Sequence, residues 1–283
     1  MPSSSSMPLC TLLALAAIAG PLPADAAPAD RPVSSYPTAE LPNFAPADGW
    51  TVGLGAEVEY SVDYDGSDDY EAEFEPGVLV HVNRGDFLYY LEGNTAGVRY
   101  APGQDWIVGA GLQYEFGRDE SDNAALAGLG DTDAEWVATL DVRRGFGGDN
   151  WPWWVAARAL VGGSDIGALG VVGIGRELPV PSAAWQADIV AYATFATSDF
   201  QARDFGITPA QSLTSGYAPY DPDGGFRALG LQAYAQYAPT RRIRLIGQLG
   251  YEGYSSDATD SPLVQAGDDG EFEASLSFLF LLR

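Results

Sequence analysis

The chain contains no lysine: its 14 basic residues are all arginines, set against 39 acidic ones for a formal net charge of -25. Binding a nucleic-acid backbone needs a basic footprint that releases counterions, so nucleic acid is excluded as a partner. There is one cysteine, Cys10, which excludes an intramolecular disulfide and a cysteine metal cluster. There is one histidine, His81, which excludes a histidine-cluster metal site. Beyond the N-terminus no stretch approaches the roughly 20 apolar residues that a membrane-crossing helix requires. Helical spans are thereby excluded, whereas spans made of strands are not.

What is present is glycine and aromatic residues: 34 Gly, 15 Tyr, 12 Phe and 7 Trp, with 46% hydrophobic and 19% charged residues. The chain opens with an apolar run from Leu9 to Gly20, broken by Pro21 and Pro23 and followed by Ala24-Asp25-Ala26. That is the layout of a secretory signal over residues 1–26, although its start carries no Lys or Arg. Cys10 lies at the start of the apolar run and not after it, so a lipid anchor is not expected. Residues 27–49 hold Pro28, Pro32, Pro37, Pro42 and Pro46 and read as a Pro-rich periplasmic linker. The folded part is expected over residues 50–283, with no shift in composition that would mark a second domain.

From Trp50 the chain alternates without a break. Trp50, Val52, Leu54, Ala56, Val58, Tyr60 and Val62 fall on one parity, and Thr51, Gly53, Gly55, Glu57, Glu59, Ser61 and Asp63 on the other. Period two marks a strand with one apolar and one polar face. Near the end, Phe272, Ala274, Leu276, Phe278, Phe280 and Leu282 oppose Glu271, Glu273, Ser275 and Ser277. Similar runs cover about 104–116, 134–145, 151–162, 184–196, 226–238 and 242–254, with shorter ones at 87–93, 96–101 and 168–177. Alternation alone fits a soluble sandwich as well as a membrane barrel. The spacing favours the barrel, although a sandwich can show such a pair by chance: Trp50 and Tyr60 stand roughly 33 Å apart on a strand, or roughly 25 Å after a tilt near 40°, the height of a lipid-facing band. Trp185 and Phe195 repeat it.

The connections point the same way. Long or acidic ones fall near 64–70, 117–133, 197–225 and 255–269, and short ones near Arg84-Gly85-Asp86, Pro102-Gly103, 145–150, 178–183 and Pro239-Thr240. An all-β, transmembrane, antiparallel up-and-down barrel of 12 strands then puts every long loop at one end and both termini at the other. Ten strands is the alternative if 87–101 is one irregular excursion. Charge sorts along this axis. Asp65, Asp68, Asp69, Asp119, Glu120, Asp122, Asp131, Asp133, Asp257, Asp260, Asp268 and Asp269 sit by the long loops. Arg84, Arg143, Arg144, Arg176, Arg241 and Arg242, with Arg99 and Arg244, sit by the short turns. The first six are candidates for a periplasmic rim that docks an acidic partner or the anionic cell wall, though charges also simply solvate loop ends. Glu57 and Glu59 are candidate lumen carboxylates.

Three ordered motifs carry a resemblance. Phe205, Gly206, Ile207 and Thr208 follow Asp204 and precede Pro209-Ala210-Gln211-Ser212, then Ser215, Gly216, Tyr217 and Tyr220. Asp257-Ala258-Thr259-Asp260-Ser261-Pro262-Leu263-Val264 lies between the last two strands, and Gly117-Arg118-Asp119-Glu120 with Asn123, Leu126 and Gly128-Leu129-Gly130-Asp131 lies upstream. Together they resemble the MipA/OmpV family of outer-membrane proteins, the family of MltA-interacting proteins. The resemblance implies a barrel in the Gram-negative outer membrane, in contact with its lipid. For the founding branch it implies a non-enzymatic scaffold joining a lytic murein transglycosylase to a bifunctional penicillin-binding protein in peptidoglycan synthesis or remodelling. Other members are described as porin-like or adhesive. Read physically, the Phe205–Tyr220 motif is a folded loop that caps or plugs the lumen. Barrels of this kind commonly end in an aromatic residue, whereas this chain ends Phe280-Leu281-Leu282-Arg283, which predicts less efficient insertion.

No residue spacing specifies catalysis. His81 falls on the polar parity of its strand, and no serine and acid are placed with it as a triad would need. An enzyme and a resident cofactor are therefore not expected. The acidic loops offer oxygen ligands for divalent cations, without the spacing of an EF-hand. Two functions follow: the scaffold, and as the alternative a small, cation-preferring, porin-like channel with an acidic mouth.

Overall fold

A computed structural model of the protein describes residues 48–101, 106–146, 153–163, 166–182 and 184–282. The expected signal segment, all but the end of the Pro-rich linker, the Pro102-Gly103 turn and Arg283 lie outside the described residues. The rest is a closed antiparallel barrel of twelve strands in sequential order. In chain order these are β1 (Gly49–Val62), β2 (Tyr70–Arg84), β3 (Phe87–Glu92), β4 (Thr95–Tyr100), β5 (Trp106–Glu115) and β6 (Glu135–Phe146). They continue with β7 (Trp153–Val161), β8 (Ala168–Glu177), β9 (Trp185–Ala196), β10 (Gly225–Tyr237), β11 (Ile243–Tyr254) and β12 (Gly270–Leu282). The strands at 87–92 and 95–100 are two separate hairpin-linked strands, so the count is twelve and not ten. β12 pairs with β1 from Val52↔Leu282 to Tyr60↔Ala274, which leaves no open sheet edge.

The alternation is expressed inside out. Trp50 is 60% exposed and Leu54 46%, whereas Glu57 is 2% exposed and Thr51 8%. The apolar parity meets the lipid, and the polar parity fills the lumen. Aromatic side chains collect at both edges of the apolar band. Near the long loops Tyr60 stacks on Tyr70 and Tyr114 meets Trp136 edge-on, and at the other edge Trp185 stacks on Tyr237 and Phe87 on Tyr100. No helix among the described residues is long and apolar enough to cross a membrane.

β10 carries the one irregularity that matters for the lumen. Phe226 pairs with Phe195 and Ala228 with Thr194, so Arg227 is an extra residue in the ladder. A bulge re-aims side chains. Here Phe226 and Leu229 both face outward, and Arg227 and Ala228 between them are both buried inside, at 3% and 0% exposure.

Two short helices occupy the longest loop. α1 (Ser198–Phe205) is capped by Thr197, whose hydroxyl accepts from the Phe200 N–H. α2 (Pro209–Ser215) starts with a reciprocal capping box between Thr208 and Gln211, has Pro209 at its first turn, and stops at Gly216 in the left-handed conformation with φ 84°. These are the residue types that start and end helices, which is why a loop of this length is ordered.

Candidate functional site

The long loops build a common cap over one end of the barrel. Tyr64 from β1–β2, Leu126 and Leu129 from β5–β6, Ile207 from β9–β10 and Leu263 from β11–β12 form one buried apolar cluster, with Tyr217 and Tyr220 packed against it. Polar contacts fasten it. The Ser261 hydroxyl donates to the Phe205 carbonyl at 2.7 Å, and the Tyr220 hydroxyl to the Asp257 carbonyl at 2.8 Å. Gln211 Nε2 donates to the Leu129 carbonyl at 2.5 Å and Thr214 Oγ1 to the Gly128 carbonyl at 2.5 Å. Gly128 has φ 84°, and a Cβ there would stand 2.6 Å from the Thr214 carbonyl carbon, so the two loops approach this closely only with glycine at that position. The family-like residues Phe205, Ile207, Tyr217, Tyr220, Ser261 and Leu263 are thus parts of one cap.

Below the cap, Arg227 joins three elements: it ion-pairs with Asp65 of the β1–β2 loop and, at 2.7 Å, with Asp204 of α1. Burial pushes the Asp204 carboxyl up to about 6, against the opposing pull of Arg227 and with a further upward push from Asp65. One guanidinium shared by two acids leaves one acid easier to protonate.

The terminal half of the lumen is packed with side chains. Glu92 is held by His81, with Nε2 to Oε1 at 2.5 Å, and by Arg99 in a two-pronged pair at 3.1 Å. All three side chains are 7% exposed or less. The Arg99 guanidinium lies 3.8 Å over the Tyr90 ring. Arg158 donates to Gln113 Oε1 at 2.6 Å and stands across the ladder from Asp141. Trp154 lies flat over Gly175, where a Cβ would come within 2.1 Å of the ring, and Leu79, Leu279 and Leu281 form an apolar knot near the chain ends.

The opposite wall, β11-β12-β1-β2, is acidic and unpaired. Its ladder sets Glu57 across from Glu75, Glu59 across from Glu73, and Glu252 across from Glu271. Glu273 sits on the same inward parity of β12. Among the described residues none of these seven carboxylates is in an ion pair. Between this wall and the cap lies a cavity of about 470 Å³, bordered by Glu59, Glu252, Glu271 and Glu273 on one side and by Leu160, Leu169 and Phe200 on the other.

Glu57 and Glu59 both point into the lumen. The six candidate rim arginines divide three ways. Arg84, Arg241 and Arg242 are exposed at the short turns. Arg144 and Arg176 lie on the outer face, over Trp106 and Trp153 at 5.1 Å each, at the edge of the apolar band. Arg143 points inward, over Trp154 at 4.6 Å. Of the two further arginines assigned to the short turns, Arg99 is a lumen residue paired with Glu92, and Arg244 is buried, bonding the Thr240 and Ile243 carbonyls at 3.0 Å. His81 takes a structural place beside Glu92. The acidic loops bring no three carboxylate, histidine or cysteine ligands together for a metal among the described residues. Arg227, Glu252, Glu271 and Glu273 were not singled out by sequence. Their signals are present: the apolar parity slips by one between Phe226 and Leu229, and the two glutamates of β12 share the polar parity of their strand.

The model of the family described as "MltA-interacting protein MipA" matches residues 52–280. No curated protein matches the sequence. Among solved structures, the chain is similar to OprB of Pseudomonas putida, with 10% identity, TM-score 0.42, and coverage of 83% of this chain and 94% of that one. It is also similar to the COG4313 outer membrane channel from Pseudomonas putida F1, with 11% identity, TM-score 0.42, and coverage of 88% and 100%. CymD, a monoaromatic hydrocarbon channel, gives 9% identity, TM-score 0.43, and coverage of 83% and 89%. All are outer-membrane barrels, and likenesses at this level say nothing about what this chain does.

Proposed function

The chain belongs to the MipA family of outer-membrane barrels, and from that premise we propose that it is a non-enzymatic scaffold, working at its ends and not through its lumen. The observation that carries this reading is the filled lumen. The Glu92 cluster, Trp154 and the leucine knot occupy its terminal half, and a cap built from four loops covers the other. The family description supports a partner of the MltA kind, so the scaffold is proposed to gather a lytic murein transglycosylase and a bifunctional penicillin-binding protein. In this reading both termini and the short turns are periplasmic. Arg84, Arg241 and Arg242 present the exposed positive charge, and the Pro-rich N-terminal arm extends the reach. Arg144 and Arg176, over their tryptophans at the band edge, hold the barrel at the lipid headgroups. The test is affinity capture from periplasmic extract by the full-length barrel. Murein enzymes are expected with the wild type and reduced several-fold with Arg84→Glu/Arg241→Glu/Arg242→Glu. Equal recovery by a normally assembled variant overturns the arginine part, and no murein enzyme in either sample overturns the scaffold.

A second reading, a small cation-preferring channel, is favoured by one observation, the unpaired acidic wall. Planar-bilayer recordings separate the two: stable cation-selective openings support the channel, and a silent barrel supports the scaffold.

A further inference from the structure

We infer that the cavity beneath the cap is a binding site for an organic polycation of the polyamine class, with Glu59, Glu252 and Glu273 as its carboxylate anchors. This stands apart from the scaffold reading, since it concerns the lumen and not the ends.

Nine carboxylates and three guanidiniums line the cavity, so its formal charge is strongly negative. The guanidiniums are already engaged. Arg227 pairs with Asp65 and Asp204, Arg118 donates to the Asp204 carbonyl at 3.3 Å, and Arg203 to the Phe116 carbonyl at 2.9 Å. Glu271 accepts from the Tyr254 hydroxyl at 2.6 Å. Glu252 is only half engaged, through a side-chain hydrogen bond with Tyr192. It is 3% exposed, it borders the cavity, and its Oε2 has no hydrogen-bond partner. A buried carboxylate oxygen without a partner is costly, and a ligand donor removes that cost.

The form of the ligand follows from how the charge is spread. The backbone positions of these acids are about 5 Å apart on neighbouring strands and about 7 Å apart two residues along a strand, so the glutamates are spread over a patch of the wall. No three of them gather as ligands for a metal ion among the described residues. Ammonium groups separated by a few methylenes match such a patch. The facing wall completes the fit, because Leu160, Leu169 and Phe200 offer an apolar surface to the methylenes. Access is acidic as well, with exposed Asp122 bordering the cavity at its mouth.

The test is calorimetric titration of the full-length barrel in detergent micelles with spermidine, repeated with magnesium chloride as competitor. Saturable binding is expected, weakened at least tenfold by Glu59→Gln/Glu252→Gln/Glu273→Gln. It should be unchanged by Asp86→Asn, which alters an exposed turn at the opposite end. Magnesium should need at least tenfold higher concentration than spermidine to compete. The Gln substitutions remove like-charge repulsion, so folding is expected to survive them. Three results overturn the inference: no saturable heat with spermidine, the same affinity in the triple variant, or displacement by magnesium at equal concentration.

Discussion

The two walls of the lumen both carry charge and use it in opposite ways. On the wall around β3, β4, β6 and β7 charge meets opposite charge: Glu92 pairs with Arg99, with His81 hydrogen-bonded beside it, and Asp141 faces Arg158 across the ladder. On the wall from β11 to β2 the same ladder geometry sets Glu57 against Glu75, Glu59 against Glu73 and Glu252 against Glu271. Directly opposed like charges are destabilising, and directly opposed unlike charges are not. The paired wall is therefore a structural element that closes the lumen. The unpaired wall holds stability in reserve for something that is not part of the chain.

The largest effect that sharpens this contrast is expected from Glu92→Ala. It leaves Arg99 buried without its carboxylate, and breaking a buried pair from one side costs about 3–5 kcal/mol. Urea unfolding of the barrel in detergent reads this directly. A cost no greater than that of an exposed carboxylate would show that the pairing on this wall is incidental. An intermediate effect is expected from pH. Asp204 has its folded-state value raised from an ordinary 3.8 to about 6, with Arg227 and Asp65 facing it and Arg203 nearby. The protonated form is the one the cap favours. Its contribution is whole in acid and is lost as the pH rises from about 4 through about 6. Limited proteolysis of the 197–224 loop should thus be slower at pH 5 than at pH 7. Asp204→Asn should abolish that difference, and an unchanged pH dependence in the variant would assign it to another group. The smallest effect is on the unpaired wall. Glu75→Gln removes one member of an opposed pair and should leave stability equal or raise it by about 0.2–1 kcal/mol. A loss comparable to that of Glu92→Ala would erase the distinction between the walls.

Most of the barrel was legible in the chain, because alternation is enforced twice in such a fold, once by lipid outside and once by polar packing inside. The parity of Trp50 to Val62 assigned its polar residues, Glu57 and Glu59 among them, to one face of the strand, and loop lengths placed every long connection at one end. Parity also separates Arg143 from Arg144, since neighbouring residues on a strand face opposite ways, so a single arginine rim could not hold both. The weak strands at 87–92 and 95–100 exist as separate strands because the ladder on either side completes them. What could not be read was contact between distant loops. The meeting of Tyr64, Leu129, Ile207 and Leu263 depends on barrel closure, which has no local signature. Arg227 was hidden by its bulge: one added residue turns two consecutive side chains inward, and the alternation rule then points the wrong way.

The cap also bears on the order of events during assembly. Its apolar cluster draws on Tyr64 from the first loop and Leu263 from the last, and its Arg227 pair reaches back to Asp65. The full set of these contacts needs the first and last loops side by side, as they are once β12 has met β1, so they rank with the β1–β12 ladder among the most non-local in the molecule and are expected to form late. Ordering of the cap is therefore a signal that the cylinder has closed. A kinetic probe on Leu263 should report completion of insertion, where a probe on any single hairpin would report only its beginning.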